Sequence, residues 1–132
     1  PILKNRFLGN YHVIALFNWE DGTKDISFTT KEIGADPGLD YTLFEFWTER
    51  YLGTMKESFS MEVPPRSVRL LTMHPVKNIP QWIGSDRHIA QYAVELIDYA
   101  WNNENRILKG SIHLVESFPI TVWIRTPDGY IV

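Results

Sequence analysis

The sequence contains no cysteine, which excludes disulfide scaffolds, thiolate metal sites and thiol nucleophiles. Many secreted proteins also lack disulfides, so the compartment stays open. No apolar run approaches the roughly 20 residues of a membrane span, and no basic-then-apolar leader opens the chain; it reads as soluble, with no membrane partner. Positive charge is not in excess: 13 Lys plus Arg stand against 16 Asp plus Glu, a net charge of -3. Nothing therefore draws the chain toward phosphate backbones, and no nucleic acid partner is expected. The P-loop, the glycine-rich dinucleotide turn, the G-x-S-x-G elbow and the H-E-x-x-H helix are all missing, as are internal repeats and low-complexity tracts. An initiator Met is missing too: the chain begins at Pro1, which fits a processed chain or a piece of a longer one. Finally, 132 residues are too few for a (β/α)8 barrel, which typically takes about 250.

What is present is a chain 44% hydrophobic and 14% aromatic, enough to bury a core. Its apolar residues fall in short alternating runs separated by turn residues, with one strand about every 10 residues, a sandwich-like rhythm. The expected fold is all-β: an antiparallel β-sandwich of about eight to ten strands, immunoglobulin-like or Greek-key. The run from His12 to Trp19 is apolar on both faces, with Val13, Ala15, Phe17 and Trp19 on one and Ile14 and Leu16 on the other. Asp21-Gly22 then suggests a hairpin onto Lys24 to Thr29. Tyr41 to Trp47 reads as a well-buried strand, and Phe59, Met61 and Val63 alternate until Pro64-Pro65 stops the ladder. Val68 to Met73 resumes it. His74 to Asp86 reads as a crossing loop in which Gln81-Trp82-Ile83 pairs briefly. It divides a single domain, residues 1–132, into a first strand block (1–75) and a C-terminal extension (76–132) that completes the sandwich. Ile89 to Trp101 fits a helical stripe or a strand; the polar cluster Asn102-Asn103-Glu104-Asn105 favours a strand turning into Ile107 to Val115. Ile120, Val122 and Ile124 alternate with Trp123 opposite, and Asp128-Gly129 makes a last turn.

Chemistry has few places to reside. Asp86-Arg87-His88, flanked by Trp82 and Gln91, is the densest polar set. A carboxylate, a guanidinium and an imidazole beside an indole can bond a sugar's hydroxyls while the ring stacks on its apolar face; equally, such groups can lock a loop to backbone amides and carbonyls, which the local spacing favours. Glu20, Asp21 and Glu45 are weighed as acid–base carboxylates, but Glu20 and Asp21 adjoin Gly22 and suit a turn. His12 and His113 read as structural or exposed. Of the five tryptophans, Trp19, Trp47 and Trp123 lie in apolar runs and are expected in the core, with Trp82 the best candidate for partial exposure. No metal ligand set and no cofactor are expected.

The run from His12 through Asn18-Trp19-Glu20-Asp21-Gly22, then Tyr41 to Trp47 with Tyr51-Leu52-Gly53, then Val63-Pro64-Pro65-Arg66 to Leu71, resembles the C-terminal β-sandwich of α-galactosidase-like (melibiase-type) glycoside hydrolases. Pro80 to Ile89 with Gln91 looks like the extension found in a bacterial branch. Arg66 stands where such domains often carry His, and Tyr92 where Gly is expected. The resemblance implies a non-catalytic accessory domain that packs on and stabilises a (β/α)8 catalytic barrel preceding it. Its partner is thus that barrel, and the two catalytic aspartates lie outside this chain, so no catalytic residue is carried over. The alternative is a carbohydrate-binding module using Trp82, with Trp101, and the cluster Asp86, Arg87 and His88.

Overall fold

The structure, a computed structural model, describes residues 2–87, 96–114 and 119–130. Eleven strands and no helix occur among them: β1 (Ile2–Asn5), β2 (Gly9–Asn18), β3 (Lys24–Thr29), β4 (Tyr41–Glu45), β5 (Arg50–Met55), β6 (Ser58–Val63), β7 (Ser67–Pro75), β8 (Gln81–Ser85), β9 (Leu96–Asn102), β10 (Ile107–Ile112) and β11 (Val122–Arg125). All the pairings are antiparallel. The fold is an all-β sandwich. β1 and β5 are strands that the apolar rhythm does not announce, because each carries only two or three large apolar residues among polar ones.

The principal sheet runs β1-β2-β7-β4-β5. Its register pairs Ile14 with Leu71 and Leu43 with Met73, so these residues share one face with Leu16 and Tyr41. That face packs against the β3–β6 sheet through Phe28 and Val63, with Ile26, Phe59 and Met61 at the margin. Two sheets bury one another's apolar faces, as strand periodicity demands. Where β4 passes β5 the register slips after Leu43, opposite Gly53 at φ 89°, a conformation glycine adopts without a Cβ clash.

The expected β2–β3 hairpin does not form: β2 pairs with β7, and β3 with β6. Asn18 accounts for the crossing. Its buried Nδ2 donates to the carbonyls of Gly22, Val63 and Pro64, pulling the end of β2 across to the end of β6. A chain led over in this way enters the other sheet instead of folding back.

Residues after Pro75 cover part of the principal sheet's second face. Thr72 Oγ1 donates to the Ile83 carbonyl at 3.0 Å, and Trp123 packs on Phe44 with ring centroids 4.8 Å apart. β8 approaches so closely that a Cβ on Gly84 would lie 2.5 Å from the Phe44 ring. A second core joins Leu8, Tyr11, Trp82 and Leu96. β8, placed within the crossing loop by its short apolar run, is buried throughout. β9 and β10 form the expected hairpin; the parts of that reading at residues 89–95 and at Val115 lie outside the described residues.

Candidate functional site

Two residues of the polar cluster singled out from the sequence bond to backbone groups. Asp86 Oδ1 accepts from the Thr121 amide at 3.1 Å, and the Asp86 amide donates to the Thr121 carbonyl at 3.2 Å. Arg87 Nη2 donates to the Pro119 carbonyl. Both side chains fasten the end of β8 to the approach of β11, about 35 residues away. His88 and Gln91 lie outside the described residues, as does Tyr92. Trp82, expected to be partly exposed, is only 4% exposed, because β8 runs inside the second core. It borders a cleft of about 220 Å³ with Tyr99, Leu108, Ile112, Val122 and Ile124, and neither Asp86 nor Arg87 lines that cleft. The Trp82 amide donates to the Tyr99 hydroxyl at 3.0 Å, and burial pushes the Tyr99 phenol above its ordinary pKa. Trp101 meets Tyr130 edge-on at 5.7 Å.

The carboxylates considered for acid–base work are also committed. Glu45 is fully buried, accepting from the amides of Trp47, Thr48 and Leu70 and from the Thr48 hydroxyl, with Arg69 Nη1 at 3.9 Å. It caps the turn after β4. Glu20 pairs with Lys24, and Asp21 with Arg66 Nε at 2.6 Å. The cap of this turn is Asn18, whose Oδ1 accepts from the Glu20 amide, rather than Asp21. Arg66 takes φ 46° there and donates its amide to the Glu20 carbonyl. Among the described residues no group of three or more His, Asp or Glu is placed to hold a metal. His12 is buried and T-shaped against Tyr41, while His113 is exposed.

The tryptophans expected in the core part company. Trp123 is half-buried against Phe44, but Trp19 is 78% exposed and Trp47 56%. Both lie just past a strand end, beyond the ladder that would have covered them. The polar residues that follow each one, Glu20-Asp21 and Thr48-Glu49-Arg50, are the signal that marks this. Phe17, 52% exposed, stacks nearly parallel on Trp19 at 5.4 Å.

Two surfaces result. The first is the uncovered end of the principal sheet's second face. Register places Ala15 opposite Leu70 and Phe17 opposite Val68; Ala15 and Phe17 are exposed, Val68 and Leu70 half-buried. The two-sided apolar character of β2 is thus satisfied inward by Ile14 and Leu16 and left open outward. The second is a groove of about 400 Å³ beside β3, bordered by Trp19, Glu20, Lys24, Asp25 and Ser27 and sharing Phe17 with the first.

Residues 7–73 match the family described as the α-galactosidase C-terminal β-sandwich domain. The chain belongs to that family. Similar solved structures include α-galactosidase I from Mortierella vinacea, at 23% identity and TM-score 0.45, covering 48% of this chain and 17% of that one. Another is a GH27 β-L-arabinopyranosidase from Geobacillus stearothermophilus, at 21% identity and TM-score 0.46, covering 50% of this chain and 15% of that one. The chain spans less than a fifth of the length of these enzymes. No curated protein sequence matches it. As a member of the α-galactosidase C-terminal sandwich family, the chain has its match over β2 to β7, the strands that build the principal sheet apart from its β1 edge, together with the β3–β6 cover.

Proposed function

We propose that this chain is a non-catalytic accessory domain that packs on, and stabilises, the (β/α)8 catalytic barrel of an α-galactosidase-like glycoside hydrolase. The observation that carries this reading is the apolar end of the principal sheet, Ala15, Phe17, Val68 and Leu70, left uncovered in a chain whose family consists of C-terminal enzyme domains. Uncovered sheet faces of this kind suit a domain–domain contact. In the same reading residues 1–132 form one domain, and residues 76–132 complete it by covering the opposite end of that face. Glu45, Glu20 and Asp21 are engaged in caps and ion pairs, consistent with catalysis residing elsewhere. The test has two arms. The purified chain is expected to leave an aryl α-galactoside unhydrolysed, and to bind a separately produced family barrel. Hydrolysis above a heat-denatured control, or no association with the barrel, would refute the proposal.

A further inference from the structure

We infer that the groove beside β3 is a binding site for a neutral pyranose, with Trp19 as its stacking platform. Trp19 is 78% exposed, yet its loop is held from both sides. Asn18 Oδ1 accepts from the Glu20 amide at 3.0 Å, the Arg66 amide donates to the Glu20 carbonyl at 3.1 Å, and Arg66 pairs with Asp21. Phe17 stacks on one face of the indole, and the Trp19 side chain as a whole stays largely exposed. A rigid loop presenting a bare indole has its ordering entropy already spent, the condition under which a small contact yields measurable affinity. An indole ring, electron-rich over its plane, suits the polarised C–H bonds on a pyranose face.

Most of the residues that border the groove are polar. The groove is bordered by Phe17, Trp19, Glu20, Lys24, Asp25 and Ser27 around a volume of about 400 Å³, within the roughly 300–1,000 Å³ of small-ligand sites. Glu20 and Lys24 pair with each other, and among the described residues Asp25 makes no salt bridge. The rim therefore carries one uncompensated negative charge, which favours hydroxyl donors and opposes a uronic acid. Barrel docking centres on the sheet face at Ala15 and Leu70, and Phe17 borders both surfaces; Ala15→Arg, which should lose the barrel and keep the sugar, and Trp19→Ala, which should lose the sugar and keep the barrel, tell the two failures apart.

The test is an NMR titration of the ¹⁵N-labelled chain with melibiose and, separately, galacturonate, the Trp19 indole signal being identified by its loss in Trp19→Ala. Melibiose should move that signal saturably, with a Kd of about 1 mM. Trp19→Ala should weaken binding, read from neighbouring amides, by roughly tenfold, whereas Trp47→Ala should not. Asp25→Asn should narrow the preference for melibiose over galacturonate. Absence of a saturable shift, equal dependence on Trp47, or galacturonate binding as tightly as melibiose would overturn the inference. So would a Trp19→Ala chain that keeps sugar binding and loses only the barrel.

Discussion

His74 should make the domain acid-sensitive well above the carboxylate range. It lies on β7, almost wholly buried, stacked on Tyr11 with ring centroids 5.1 Å apart and planes 10° from parallel. Burial, reinforced by the positive charge of Lys77 and by His12, lowers its pKa from the ordinary 6.5 to about 3. The folded state thus keeps the imidazole neutral down to about pH 3, while the unfolded chain protonates it near 6.5. Below 6.5 the unfolded state binds the extra proton, so stability falls as pH falls and levels off near the folded pKa. At 1.36 kcal/mol per pH unit, the loss is about 2 kcal/mol by pH ~5 and about 5 kcal/mol by pH ~3. Urea denaturation at pH ~7.5 and ~5 measures it, on the natural sequence and on His74→Phe, which keeps an aromatic ring against Tyr11 and removes the titration. The variant should lose about 2 kcal/mol less over that interval. Equal losses in the two proteins would refute the assignment of the acid sensitivity to His74.

Three further substitutions probe the fold by the same denaturation assay. Gly84→Ala should destabilise by about 1–3 kcal/mol, because the new Cβ would meet the buried Phe44 ring; an unchanged midpoint would show that β8 can lift away freely. Glu45→Ala should lose about 3 kcal/mol, since the amides of Trp47, Thr48 and Leu70 lose their acceptor, with Glu45→Gln losing less. Asn18→Ala should lose about 2 kcal/mol by orphaning the carbonyls of Gly22, Val63 and Pro64, and it should broaden the Trp19 signals as the loop loosens.

Alternation made β2, β4, β6, β7 and β11 legible, because period 2 is a local property of side chains on a strand. Pairing was less legible, since alternation says which face is apolar and is silent on the neighbour. The Asp21-Gly22 turn signal points Lys24–Thr29 back onto β2, whereas that strand pairs with β6, whose last carbonyl accepts from Asn18. The polar cluster at Asp86 and Arg87 stood out in sequence, but its partners at 119–121 are backbone groups more than 30 residues away. Trp82 looked exposable because prolines and polar residues surround it, and tertiary packing overrode that. Trp19 and Trp47 looked buried because apolar strands precede them, yet one or two residues past a strand end suffice to leave a large ring in water.

The central claim, that this sandwich exists to pack on a catalytic barrel, is tested most directly by the melting temperature of Ala15→Arg in two contexts: this chain alone, and the chain joined to a family barrel. Ala15 is exposed at the centre of the open sheet face, so the substitution removes no internal packing and should change the isolated chain by no more than about 0.5 kcal/mol. In the two-domain protein the long charged side chain stands in the contact and should lower the melting temperature by several degrees. Equal behaviour in the two contexts would contradict the account.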